Sequence, residues 1–152
     1  MAARTEDLRA TAVEALSEVL ATMFFSDVVP VDCRHSLDGE WTSARVRFSG
    51  DPSGELLLML SPGLAVVLSA SFLGIDEGAV TQEAAGQVCR ELSNMICGAI
   101  LSRVHPDSSV ALDEPELTPA DFDGRAGIHP GLHQCFAIPE GTLAMNLNSD
   151  AW

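Results

Sequence analysis

Lysine is missing from this chain altogether: all eight basic residues are arginine, set against 22 acidic residues, for a formal net charge of −14 over 152 residues. Phosphate backbones and anionic lipid headgroups both call for a positive footprint, so neither nucleic acid nor a membrane surface is an expected partner. Also missing is any uninterrupted apolar run near the roughly 20 residues that span a bilayer. Residues 1–7 lead into an amphipathic pattern, not a basic segment followed by an apolar one, so no secretory leader is expected and the expected location is cytoplasmic. Cysteine is sparse. Cys33, Cys89, Cys97 and Cys135 form no C-x-x-C pair, which in such a setting reads as reduced, mostly buried thiols. What the chain does have is apolar material, 47% hydrophobic against 20% charged. That is enough for a real core and excludes disorder. The length suits one domain over residues 1–152.

Periodicity sketches the elements. Thr5 can cap a first helix, in which Leu8, Ala12, Leu16, Val19, Leu20 and Met23 recur at helical spacing to Phe24. Pro30 ends that pattern, and an extended stretch is predicted over 31–37, followed by a turn at Asp38-Gly39. Residues 41–49 alternate, with Ala44, Val46 and Phe48 facing one way and Arg45 and Arg47 the other. Asp51-Pro52-Ser53-Gly54 is a turn sequence, because proline presets φ and glycine accepts positive φ. It joins that strand to a second at 55–60 as an antiparallel hairpin. Ser61-Pro62 reads as a helix start and Gly74 as its end, around a short apolar and buried helix at 64–73. A long helix opens at Thr81, with Glu83 in its first turn, and runs to about Arg103, where His105-Pro106 stops it. A strand at 110–112, an irregular loop over 115–130 and a closing hairpin (131–138 with 142–148) complete the chain. Met59, Met95 and Met145 stand in apolar surroundings and read as core.

The long helix carries the most information. At roughly 100° per residue, Gln87, Glu91, Asn94 and Gly98 fall within about 60° of one another. Val88, Cys89, Leu92, Ile96, Ala99 and Ile100 occupy the opposite arc and can bury against a sheet. One face is therefore core, and the other offers a carboxylate, two amides and a glycine. Glycine inside a helix costs about 1 kcal/mol relative to alanine, so close approach by a backbone or a partner should offset Gly98. On spacing alone, Glu91 and Asn94 could equally be solvated polar residues on an outer face.

Glu91-x-x-Asn94 continuing Asn94-Met95-Ile96-x-Gly98 resembles the signature helix of the CheC/CheX/FliY phosphatases, the CheX branch in particular. The resemblance extends to Phe48 through Leu58, which is similar to the hairpin before the site. It includes residues 61–74, similar to the short apolar helix ending in Leu-Gly, and Thr81-Gln82-Glu83 at the start of the site helix. It covers about residues 5–148 and is weakest over the 115–130 loop. It implies a single α/β (α+β) domain: an antiparallel sheet packed against two long helices and one short one, with an internal pseudo-repeat. It also implies an activity, removal of phosphate from the aspartyl phosphate of a CheY-like receiver domain. Asn94 would orient the attacking water and Glu91 would pair with the receiver lysine. The resemblance implies no cofactor of the chain's own, Mg²⁺ being expected on the receiver, and it implies a homodimer. Gln87 and Gly98 flank the pair, and Arg90 beside the polar face is a candidate partner contact.

Two positions depart from the family pattern. Gln87 stands where Asp or Ser is usual, and the family's proline some two dozen residues after the asparagine falls near Pro115 or Pro119 without matching either. Where some members carry a second copy of the site on the first helix, this chain has Glu18 but Ala21 in place of the asparagine, so that copy reads as inactive. The alternative function is a non-catalytic module of the same fold that docks a receiver or a flagellar-switch component. His129, His133 and Cys135 are too few, and separated by Pro130-Gly131, to be read as a zinc site.

Overall fold

The computed structural model describes residues 2–24, 27–32, 41–104, 106, 109–118 and 131–149, with side chains from residue 7 onward. Helix α1 spans Ala2–Phe24. It starts before Thr5, so the expected cap lies inside the helix; the two alanines ahead of it are the strongest helix formers and extend it backwards. Strand β1 is short, Val29–Val31. The rest of the extended stretch predicted over 31–37 and the Asp38-Gly39 turn lie almost wholly outside the described residues. Strand β2 (Thr42–Gly50) and strand β3 (Gly54–Leu60) form the predicted antiparallel hairpin.

Helix α2 covers Pro62–Leu73, with Pro62 at its first position and Gly74 closing it in the left-handed region at φ 67°. Ser61 has the extended backbone of a cap, yet its hydroxyl does not cap. Instead Ser61 Oγ accepts the Thr142 N–H at 3.0 Å, tying the helix start to the last strand. Leu64, Ala65, Leu68, Ser69 and Ala70 are buried as expected, but Phe72 and Leu73 at the end of the helix are exposed. A 3₁₀ turn at Glu77–Ala79 leads to helix α3, Gln82–Val104.

Strand β4 is Val110–Leu112 and strand β5 is Glu116–Thr118. β5 corrects the prediction of an irregular loop over 115–130. Ser43, Ala44 and Arg45 of β2 offer it a ladder, a partner that local sequence cannot reveal. Strands β6 (Leu132–Ile138) and β7 (Gly141–Ser149) close the chain as a hairpin. The seven strands form one sheet in the order β1-β6-β7-β3-β2-β4, with β5 also on β2. Every described pairing is antiparallel.

Alternation decides which face the helices cover. Ala44, Val46 and Phe48 of β2, Leu56, Leu58 and Leu60 of β3, and Leu143, Met145 and Leu147 of β7 are buried. They form one cluster with Leu16 and Leu20 of α1, Leu64 and Leu68 of α2, and Leu92, Ile96 and Ile100 of α3. Arg45 and Arg47 point the other way, as predicted, and reach Glu55 and Glu116 at 3.7–4.0 Å. Met59 and Met145 are buried as expected; Met95 is only partly so, which corrects its placement in the core, and Met23 near the end of α1 is 39% exposed. No described helix is long and apolar enough to cross a membrane.

Cys89 and Cys97 are free and buried, as expected. Cys135 is disulfide-bonded, which corrects the expectation of a reduced thiol there.

Candidate functional site

Helix α3 is positioned from both sequence ends inward. Thr81 Oγ1 accepts the Ala84 N–H at 3.1 Å and caps the start. Glu83 lies in the first turn and Arg103 in the last, each matching the sign of the helix dipole there. Along its inner arc Val88, Cys89, Leu92, Ile96 and Ile100 are buried almost completely. That face packs on β2 and β3, and the flank packs against α1. Burial of one face fixes the rotation of the helix, and hence which side chains look outward.

On the outer face Gln87 and Glu91 are exposed, and Asn94 and Gly98 are partly exposed. None of the side chains of Gln87, Glu91 and Asn94 forms a hydrogen bond or ion pair with a described residue. A carboxylate and a carboxamide therefore stand one turn apart with their polar atoms uncommitted. Gly98, one turn beyond Asn94, has room above it: a Cβ there would meet only Leu112 Cδ1, at 3.8 Å. No described backbone offsets the cost of that glycine.

Two flanks border this ridge. On one side a shallow groove of about 260 Å³ runs between α1 and α3, lined by Val19, Thr22 and Met23 with Met95 and Ala99. Arg103 pairs with Glu18 across it. The glutamate left from the expected inactive second copy is thus held by an internal cation. On the other side, toward β4 and β5, lies Arg90, partly exposed, its Nε buried with no partner. A larger hollow of about 600 Å³ opens at the start of α3 between Trp41, Ser43, Pro62, Thr81, Gly86 and Leu117. Its walls come from four separate elements, so no single stretch of residues signals it.

Beneath the ridge, burial pushes the thiols of Cys89 and Cys97 up to about 12. Thiolate is the nucleophilic form, so neither residue can act as a covalent catalyst at neutral pH. Among the described residues no group of three or more His, Cys, Asp or Glu side chains could hold a metal ion. His129 of the weighed trio lies outside the described residues.

What this surface can do chemically is limited and specific. With an amide that both donates and accepts beside a free carboxylate, it can orient a small molecule and grip a cation presented by another protein.

The chain has relatives among known proteins. The family model described as chemotaxis phosphatase CheX matches residues 42–121, which include β2, β3, α2 and the whole of α3. No curated protein matches the chain. Among solved structures, the chemotaxis protein CheX from Vibrio vulnificus superposes with a TM-score of 0.73 at 18% identity, covering 94% of this chain and 96% of that one. CheX from Desulfovibrio desulfuricans gives 0.70 at 16% identity, over 95% of this chain and 99% of that one. CheX from Borrelia burgdorferi, solved as a complex with CheY, BeF₃ and Mg²⁺, gives 0.69 at 16% identity, over 92% and 96%. These likenesses establish a shared fold.

Proposed function

The chain belongs to the CheX family of chemotaxis phosphatases, and we propose that it hydrolyses the aspartyl phosphate of a CheY-like receiver domain, with Asn94 and Glu91 as the working pair. The observation that carries this reading is the outward, uncommitted state of those two side chains on a helix whose other face is locked into the core.

Phosphoryl transfer asks for positioning and charge stabilisation more than covalent work. A phosphorylated receiver already holds the phosphoryl group, a Mg²⁺ and a nearby lysine. It lacks a water held in line with the breaking P–O bond. In this reading the Asn94 carboxamide supplies it: the oxygen accepts a hydrogen bond from the water while the nitrogen donates to a phosphoryl oxygen. Glutamine orients the attacking water of GTPases in the same manner. Glu91, one turn earlier, pairs with the receiver lysine and sets the docking register. The chain then needs no nucleophile, metal or cofactor of its own. It works in the cytoplasm as a homodimer, with one site per chain.

Charge shapes the encounter. A receiver's phosphorylation pocket is acidic, and so is this chain, at −14. Long-range steering is absent, and association strengthens as salt screens the repulsion.

The test is the lifetime of a cognate phosphorylated receiver with and without this protein. Acceleration by the wild type, lost in Asn94→Ala, is expected. A complex whose phosphate lifetime is the same with either variant would support a non-catalytic docking module instead, with exposed Gln87 marking the altered surface.

A further inference from the structure

Five arginines have described side chains, and four of them are engaged. Arg9 donates to His133 O and Gln134 Oε1 at 2.9 and 2.8 Å. Arg45 and Arg47 each pair with Glu55 and Glu116, and Arg103 pairs with Glu18. Arg90 stands apart. Its guanidinium forms no hydrogen bond or ion pair with a described residue, and its Nε is buried without a partner. In a chain with 22 acidic residues, a cation is not left single for want of carboxylates.

Its place on α3 gives that vacancy a direction. At roughly 100° per residue, Arg90 lies about 40° from Asn94, on the side away from Glu91. Asn94 thus stands between a cation on one flank and an anion on the other. The buried Nε holds the near end of the guanidinium against the chain's own surface, while the side chain as a whole remains partly exposed. The outer amino groups are the end left to work.

We propose that Arg90 receives a carboxylate from the rim of the receiver's phosphorylation pocket and so sets the affinity of docking. This rests on the receiver-phosphatase reading of the preceding subsection. A guanidinium suits the role, since its fork can take both oxygens of a carboxylate. With its Nε buried against the chain's own surface, it is not placed to follow Asn94 into a recessed pocket and touch the phosphoryl group. It is a positioning and specificity residue, and it supplies a local attraction where the two proteins otherwise repel.

The experiment titrates a receiver loaded with beryllofluoride and Mg²⁺, a stable stand-in for the phosphorylated state, against wild type, Arg90→Gln and Arg90→Lys. In parallel, the kcat and KM of dephosphorylation are measured. Arg90→Gln is expected to weaken binding and raise KM about tenfold while kcat stays within about twofold. Arg90→Lys should recover part of the loss, since it keeps the charge without the fork. Added salt should narrow the gap between wild type and Arg90→Gln. Equal affinity of wild type and Arg90→Gln, with matching thermal melts, overturns the proposal. So does a fall in kcat at unchanged KM, which would place the guanidinium on the reacting group. If the wild type accelerates no hydrolysis, the phosphatase reading fails, yet the binding arm still decides whether Arg90 holds the receiver.

Discussion

Replacing Gly98 with alanine should make the protein more stable and less active at once. Glycine in a helix interior is about 1 kcal/mol less favourable than alanine, because it has more backbone freedom to lose. Whether that gain is realised depends on the space a methyl would enter. Here a Cβ meets only Leu112 Cδ1 at 3.8 Å, an ordinary van der Waals contact, so nothing has to move. For a chain of this size about 1 kcal/mol corresponds to a rise in Tm of roughly 2–4 °C. The methyl would stand one turn from Asn94, in the path of an approaching receiver. KM for the phosphorylated receiver should therefore rise about threefold to tenfold, with kcat nearly unchanged, a trade of function against stability. Gly98→Leu should all but abolish binding. Thermal melting and steady-state phosphate release measure the two halves separately. Destabilisation by alanine would refute the packing argument. Unchanged kinetics for both Gly98→Ala and Gly98→Leu would refute the idea that the glycine keeps a docking surface clear.

Two further outcomes follow from the interior and the flank. Cys89 and Cys97 have thiols raised by burial from 9.0 to about 12. The folded state keeps protons that the unfolded chain loses, so their contribution is fully present below pH 9 and is lost as pH climbs toward about 12. The slope is about 1.4 kcal/mol per pH unit for each thiol, an upper bound on the effect. With no lysine or tyrosine in the chain, few other side chains titrate in that window. Urea midpoints should hold level up to about pH 9 and then fall steadily toward pH 10.5, and a flat profile across that range would contradict the assignment. Arg103→Ala should change stability by about 0–1 kcal/mol, because the Glu18 pair is largely solvent-screened, with Glu18 at 63% exposure. The same variant should leave dephosphorylation unaltered; a large loss of rate would mean that the α1–α3 groove takes part in catalysis.

Much of this geometry was legible in the residues, for reasons that differ by element. The ends of α2 were readable because Pro62 and Gly74 act through their own backbone restrictions, independent of the rest of the fold. The outward aim of Glu91 and Asn94 was readable because the apolar arc from Val88 to Ile100 fixes the rotation of α3. Strand β5 was not, since it exists through its ladder with β2 and has only Leu117 as an apolar residue. Met23 and Met95 continue apolar stripes, yet they line an open groove, and periodicity cannot say whether a groove is covered. The ion pair between Glu18 and Arg103 and the lack of a partner for Arg90 among the described residues are tertiary facts, visible only once distant segments are placed.

The most direct measurement is a single-turnover decay of acyl phosphate on the receiver, with saturating wild type or Asn94→Ala, under conditions where both are shown to be bound. The account predicts that the wild type shortens the phosphate's lifetime at least about a hundredfold, within the range expected of one positioned catalytic group. The bound Asn94→Ala complex should decay at nearly the receiver's own rate. Decay by the bound alanine variant as fast as by the wild type would contradict the account, because the water would then be held by something other than this carboxamide.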